Sequence, residues 1–287
     1  MNARRNTAAP PRDEGEQTTR PGETGTVRRV LMVLRDLADH PGDTPSSIAA
    51  RLALPRSTVH RLLAMLRADD FAALNAEGAP TPGPELYRIA GRLQASIPYH
   101  ALAEPMLRAL CDRFGETSLL VLIERRQLRM FCAASASPAD PMRYNIELNR
   151  LESLAWGATG RAMLAFLSRP DIDAVIARGE PSPSDNRPLR KTELLRSLAL
   201  IRREGYAVTR SHRTRGAVGV AVPLFDGAQR VLGSVALLIP EFRFSAHPLT
   251  HLATALAQTS AAMSSRLAHP GQASAPGGHT RCCARSD

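Results

Sequence analysis

The sequence predicts an α+β protein in two domains, a small helical domain ending in a short hairpin and a larger domain built on an antiparallel sheet. Three observations carry that reading. The chain has 287 residues, more than one hydrophobic core comfortably serves. Apolar residues recur at helical spacing near the N-terminus, whereas farther on strand-like runs alternate with helices and hairpin turns such as Asp226-Gly227. Apolar residues make up 44% and charged residues 22% of the chain, the composition of a folded globular protein.

Residues 1–24 are rich in Arg, Thr, Pro, Glu and Gly without apolar periodicity and read as a disordered arm, and 269–287 read as a similar tail. Arg4, Arg5, Arg12 and Arg20 are offset by Asp13, Glu14, Glu16 and Glu23, so the arm reads as solvated. From Thr26, the residues Val27, Val30, Leu31, Leu34, Leu37 and Ala38 form one helical stripe, which His40-Pro41-Gly42 ends. Thr44 before Pro45 starts a short second helix, about 45–52, because threonine caps free amides and proline tolerates the first helical position. Leu52-Ala53-Leu54 makes a turn. Pro55 opens a third helix, roughly 55–68, with Val59, Leu62, Leu63 and Leu66 inward.

Phe71 to Leu74 and the Asn75–Gly78 turn read as one strand and the tip of a wing, with the return strand weakened by Pro80, Pro82 and Pro84. Helices are expected at 84–96 and 100–114, strands at 117–123, 128–134 and 142–147, and a helix at 158–168. A Pro- and Ser-rich loop at 180–188 precedes a helix at 191–204, strands at 206–209, 217–225 and 230–238, and a last helix at 246–267. The domain plan is therefore an arm at 1–24, a winged helical domain at 25–84, a linker helix at 85–98, a sheet domain at 99–268 and a tail at 269–287.

The formal charge is +10 and the field should attract polyanions. Arginine supplies nearly all of it, since Lys191 is the single lysine. Residues 1–96 hold 13 Arg against 11 Asp and Glu, a surplus of 2, so the other 8 charges lie farther on. Within 26–67 the balance is seven Arg (28, 29, 35, 51, 56, 61 and 67) against Asp36, Asp39 and Asp43, a surplus of 4. The four cysteines, Cys111, Cys132, Cys282 and Cys283, form no C-x-x-C pair and have no histidine at zinc-ligand spacing, so no metal site and no cofactor are expected. Cys111 reads as a core residue. There is no apolar signal region and no membrane-length run, which predicts a cytoplasmic protein without a membrane partner.

Two short helices joined by a tight turn, the second with a polar face, match the dimensions of the DNA major groove. That face carries Arg56, Ser57, Thr58, His60 and Arg61, with Arg28 on the first helix and Ser46 on the second completing the expected DNA-facing set. Arginine reads guanine bidentately or holds phosphate, and serine and threonine reach either. The same residues also fit an ordinary solvated face.

The run from Leu54 to Leu63, LPRSTVHRLL, resembles the recognition helix of the IclR-type transcriptional regulators. The likeness continues through Gly115-Glu116-Thr117, the stretch 158–165 (ATGRAMLA), Gly205-Tyr206-Ala207-Val208, Gly216 and the stretch 221–226 (AVPLFD). It implies a winged helix-turn-helix, a linker helix and a GAF-like effector-binding domain whose curved sheet holds a small organic molecule. It further implies a homodimer or dimer of dimers on a palindromic operator of double-stranded DNA, acting more often as repressor than activator. Ala53 and Asp70 stand where the family commonly has glycine, and with the three wing prolines they predict a loose wing.

Positions matching the family's effector pocket are Thr209, Ala217, Gly219, Ala236 and Leu238, with Ala158, Thr159 and Gly160 at a helix start. Most are apolar, which predicts a larger or more apolar effector, aromatic or a lactone, since a compact acid needs polar partners. Trp156, the single tryptophan, fits either the pocket mouth or a packing role. Arg202, Arg203, Arg210, His212, Arg213 and Arg215 fit either an anion site or a solvated face. No G-x-S-x-G elbow, no His and carboxylate beside a cysteine and no phosphate loop are present, so an enzyme is the least supported class. A winged-helix adaptor acting through protein partners is the alternative.

Overall fold

The computed structural model of the chain describes residues 25–96, 98–139, 144 and 146–268. The arms expected at 1–24 and 269–287, with Cys282 and Cys283, lie outside the described residues. Two compact units divide the chain, Met1–Leu93 and Gln94–Asp287.

The first unit contains α1 (Thr26–Asp39), α2 (Pro45–Leu52), α3 (Arg56–Ala68), β1 (Ala72–Leu74), β2 (Pro80–Pro82) and most of α4 (Pro84–Ser96). Its core is Val33, Leu37, Ile48, Val59, Leu62, Leu63 and Leu66 from the three helices, with Ala72 from β1. The Thr44 hydroxyl accepts from the Ser47 amide at 3.2 Å, which caps α2. Arg51 then fastens α2 to α1. Its Nε reaches Asp36 Oδ1 at 2.6 Å, and its Nη2 reaches Asp36 Oδ2 at 3.0 Å and Asp43 Oδ2 at 2.7 Å.

The wing corrects one expectation. β1 and β2 pair antiparallel with Ala72 opposite Pro82, Ala73 opposite Thr81 and Leu74 opposite Pro80. The bonds from Gly83 N to Phe71 O and from Asn75 N to Ala79 O set the alternation of the ladder. Pro80 and Pro82 fall on the outward positions, where no strand amide is needed, and the Pro80 carbonyl accepts from Gly42 N at 3.0 Å. Two prolines spaced by two therefore leave the ladder intact.

The second unit runs α5 (Pro98–Phe114), β3 (Thr117–Glu124), β4 (Arg129–Ala136), β5 (Glu152–Ser153), α6 (Gly157–Leu164), α7 (Arg169–Ala177) and α8 (Lys191–Glu204). It closes with β6 (Ala207–Arg210), β7 (Ala217–Phe225), β8 (Val231–Pro240), α9 (Glu241–Phe244) and α10 (Leu249–Ala268). Six strands form one sheet in the order β5-β4-β3-β8-β7-β6, every neighbouring pair antiparallel. Alternation along the strands sorts the side chains. Leu120, Val220, Leu224, Val235 and Leu237 pack toward α5 and α10, while Leu119, Val121, Ala221 and Ala236 pack with α6, α7 and α8. Each fully buried leucine contributes about 1.5–3 kcal/mol by leaving water.

Several elements differ from the sequence reading, which placed nothing at β5 or α9. The helix expected at 158–168 ends at Leu164, and α7, which periodicity missed, follows with its own cap. The Ser168 hydroxyl accepts from the Asp171 amide at 3.3 Å with Pro170 in the first turn, so Ser-x-Pro-Asp was a start signal. Of the strand expected at 142–147, residues 142, 143 and 145 lie outside the described residues, and Tyr144, Ile146 and Glu147 are not in a strand.

Ala53, in the turn between α2 and α3, is held in the left-handed region at φ 52 and ψ 43. A Cβ there costs roughly 1–2 kcal/mol, partly offset by the greater freedom of an unfolded glycine. Ala53→Gly is expected to stabilise the first unit by about 0.5–1 kcal/mol, read as a higher urea midpoint in denaturation followed by helical circular dichroism.

Candidate nucleic-acid interface and ligand cavity

In the first unit, α3 buries Val59, Leu62, Leu63 and Leu66, and this burial dictates what faces outward. Arg56, Ser57, His60 and Arg61 are exposed on the opposite stripe, while Thr58 is half-buried. Of the other residues expected to face DNA, Arg28 is exposed on α1 and Ser46 is half-buried in the first turn of α2. Arg56, Arg61 and Arg28 make no ion pair among the described residues, so their charge is uncommitted. Arg51, counted in the local surplus, stays exposed but its charge is committed to Asp36 and Asp43. Its removal with both partners sharpens the balance to six Arg against Asp39 alone. The wing tip is braced by Asn75, whose Oδ1 accepts from the amides of Glu77 at 3.1 Å and Ala79 at 2.8 Å.

The second unit holds a cavity of about 530 Å³ between the sheet and the start of α6. Its floor is made by Leu119, Val121, Cys132, Ala217, Gly219 and Ala236, and its roof by Gly157, Ala158 and Thr159. Three glycines let α6 sit this close. A Cβ on Gly219 would lie 3.2 Å from the Ala158 Cβ, and one on Gly160 would lie 2.5 Å from the Leu154 carbonyl. Gly157 adopts φ +83, and a Cβ there would meet the Arg213 stem at 2.5 Å. The Trp156 N-cap gives no side-chain bond, so the first amides of α6 are left for another acceptor at the cavity.

Seven of the eight sequence-selected positions, Ala158, Thr159, Thr209, Ala217, Gly219, Ala236 and Leu238, line this one cavity. Gly160 does not, because it packs against the Leu154 backbone. The Thr159 hydroxyl contacts Met130 Sδ at 3.7 Å, whereas Thr209, also buried, makes no hydrogen bond through its hydroxyl among the described residues.

The wall is less apolar than the sequence reading expected. Arg213 pairs with Glu152, and Arg129 pairs with Glu180 at 2.5 Å, all four lining the cavity. Arg213 Nη1 and His212 Nδ1 are buried with no hydrogen-bond partner. These groups come from β5, β4 and two loops, so no local periodicity marks them. The basic cluster of the sequence is accordingly split. His212 and Arg213 face the cavity, Arg202 donates to Ala165 O at 2.5 Å, Arg203 pairs with Glu204, Arg210 with Glu241, and Arg215 is exposed.

Trp156 is buried as a packing residue whose Nε1 donates to Glu180 O at 2.8 Å, and its ring meets His212 edge-on. Burial pushes the Cys132 thiol up to about 12, so it is an inert part of the floor. Burial, reinforced by the Arg161 and Arg187 charges, lowers His212 from 6.5 to about 4. Among the described residues no cluster of three or more His, Cys, Asp or Glu is placed to hold a metal ion, and no helix is long and apolar enough to cross a membrane.

A histidine whose folded-state pKa is depressed resists a proton that the unfolded chain accepts, so its stability contribution falls as pH drops from about 6.5 toward 4. Scanning calorimetry at pH 7 and pH 5 is expected to show a larger fall in melting temperature for the natural protein than for His212→Gln. Equal falls would place the acid sensitivity elsewhere.

Two family models match, the IclR helix-turn-helix domain over residues 26–74 and the C-terminal domain of the bacterial transcriptional regulator IclR over residues 95–265. The HTH-type transcriptional regulator BhcR of Paracoccus denitrificans is 26% identical over 247 residues, covering 84% of this chain and 88% of that protein. The crystal structure of an IclR transcriptional regulator from Alicyclobacillus acidocaldarius superposes with a TM-score of 0.70 at 26% identity, over 84% of this chain and 97% of the other. An IclR homologue from Microbacterium hydrocarbonoxydans, solved with 4-hydroxybenzoate, gives a TM-score of 0.67 at 20% identity over 85% and 99% of the two chains and shares the fold.

Proposed function

The chain belongs to the IclR family of bacterial transcriptional regulators, DNA-binding proteins and not enzymes, and we propose that it is a repressor whose operator affinity is set by a small, partly apolar organic molecule. The observation that carries this reading is the pairing of an uncommitted basic helix face with a 530 Å³ cavity floored by small apolar side chains. Residues 25–84 grip DNA, 85–98 link, and 99–268 sense the effector. A homodimer or dimer of dimers in the cytoplasm presents two such faces to a palindromic operator, as two-fold symmetry requires.

Arg56, Ser57, His60 and Arg61 contact bases or phosphates from α3, with Thr58, Ser46 and Arg28 at its margin. In the cavity, an apolar ring or chain lies on Ala217, Gly219, Ala236 and Leu238. An oxygen-bearing end meets Thr209, the α6 amides at Ala158 and Thr159, and the unpartnered Arg213 Nη1. The solved neighbour that holds 4-hydroxybenzoate carries a ligand of that pattern. The arginines lining the cavity are balanced by glutamates, which disfavours a compact acid without an apolar body. The effector acts by binding one arrangement of the dimer better than the other.

Mobility shifts with the DNA upstream of the protein's own gene are expected to show specific binding that weakens steeply with salt. Arg56→Ala and Arg61→Ala each lower that affinity about 5- to 150-fold while leaving the melting temperature unchanged. No binding at low salt would replace this reading with a protein-binding adaptor. In calorimetry, 4-hydroxybenzoate or a related aromatic acid is expected to bind. Binding of glyoxylate or pyruvate without any response to aromatic compounds would overturn the effector class.

A further inference from the structure

A second hollow of about 300 Å³ lies in the same unit, walled by Trp156, Arg161, Arg187, Arg190 and Glu193. None of these residues lines the larger cavity. Arg161 projects from α6 with its side chain only 5% exposed. Its Nε donates to Ala155 O at 3.1 Å and its Nη1 to Ser197 Oγ at 3.3 Å. Its Nη2 has only Glu193 within reach, at 3.9 Å, which is too long for a hydrogen bond, and that carboxylate is 56% exposed.

A buried guanidinium needs close anionic partners, and this one is underpaired. Arg187 adds a second cation whose ion pair, with Asp185 at 3.7 Å, is loose, and Arg190 adds a third with no ion pair among the described residues. Arg190 is also the N-cap of α8, a 14-residue helix whose first amides receive no capping side chain. The guanidiniums of Arg161 and Arg187 both lean on the Trp156 ring, 5.9 and 5.4 Å from its centre. Burial first, and then the Arg161 and Arg187 charges, hold His212 low, and its ring lies 5.6 Å from the Trp156 ring. The lining groups, three guanidiniums and one carboxylate, sum to +2, and to +1 with Asp185 beside Arg187 counted.

We propose that this hollow is a second ligand site, specific for a compact phosphate-bearing anion and separate from the effector cavity. A phosphate monoester carries about −1.5 to −2 charge near neutral pH and three acceptor oxygens, which meets the positive excess and matches the forked donors. The volume sits at the small end of ligand cavities, which selects a phosphate on a small body. Trp156 links the two sites, with the Arg161 and Arg187 guanidiniums over its ring and His212, which lines the larger cavity, meeting it edge-on.

The test uses the full chain and its single tryptophan as reporter, with ionic strength held constant by sodium chloride. Inorganic phosphate and pyrophosphate are expected to change Trp156 emission saturably. The exposed double variant Arg187→Gln/Arg190→Gln should weaken that response at least tenfold without lowering the melting temperature. Arg190→Gln alone serves if the double variant melts early. Arg213→Gln, in the larger cavity, should leave the response unchanged. A response no larger than that to chloride, one that survives loss of Arg187 and Arg190, or one abolished by Arg213→Gln would overturn the site. A stronger response to succinate than to pyrophosphate would overturn the phosphate class.

Discussion

The close seating of α6 on the sheet decides where ligands can go in the second unit. Gly219 lies directly beneath Ala158, and Gly160 lies against the Leu154 backbone, so the helix starts almost in contact with the strands. The opposite face of the sheet is filled by α5 and α10 with leucine, isoleucine and valine. On the α6 face, small residues at Ala217, Gly219 and Ala236 leave volume unfilled beside the helix start. A space of this size in a core would cost several kcal/mol if it served packing alone. Its persistence beside uncapped helix amides is the physical argument for a ligand.

Pairing, more than the sum of charge, separates arginines that tie elements together from those whose charge stays uncommitted. Arg51 is held by two aspartates, and Arg243 reaches the buried Glu116 at 2.8 Å. These side chains join elements, and their charge is matched by a carboxylate within hydrogen-bond reach. Arg56 and Arg61 on α3, and Arg187 and Arg190 before α8, are weakly paired or unpaired. The net +10 of the chain spreads over both kinds and cannot distinguish them, whereas desolvation and pairing do. Arg213 stands between the two, because it is paired to Glu152 yet keeps one nitrogen without a partner at the cavity.

Much of the fold was legible because it rests on local chemistry. The three N-terminal helices, the Thr44 cap and the β7 and β8 strands follow from periodicity and start signals that neighbouring residues carry by themselves. Ala53 and Asp70, flagged as standing in glycine positions, do adopt left-handed backbones at φ 52 and φ 58. What failed locally failed for identifiable reasons. The α7 helix was hidden by reading through Ser168, and the wing was judged by proline content without the two-residue phase that keeps both prolines off the ladder.

The site was legible in its apolar half alone. A resemblance to family motifs picked out seven residues that converge on one cavity, and alternation along β7 and β8 explains why they share a face. The charged wall depends on which loops the sheet brings together. Glu152 meets Arg213, 61 positions away, and Arg129 meets Glu180 across 51, separations over which no periodic pattern carries information. The sequence by itself determined most of the helices, the long strands and the polar face of α3, because spacing along one element sets which side is buried. Only the tertiary structure decided which arginines are neutralised and which still want an anion, because that depends on partners brought together from distant parts of the chain.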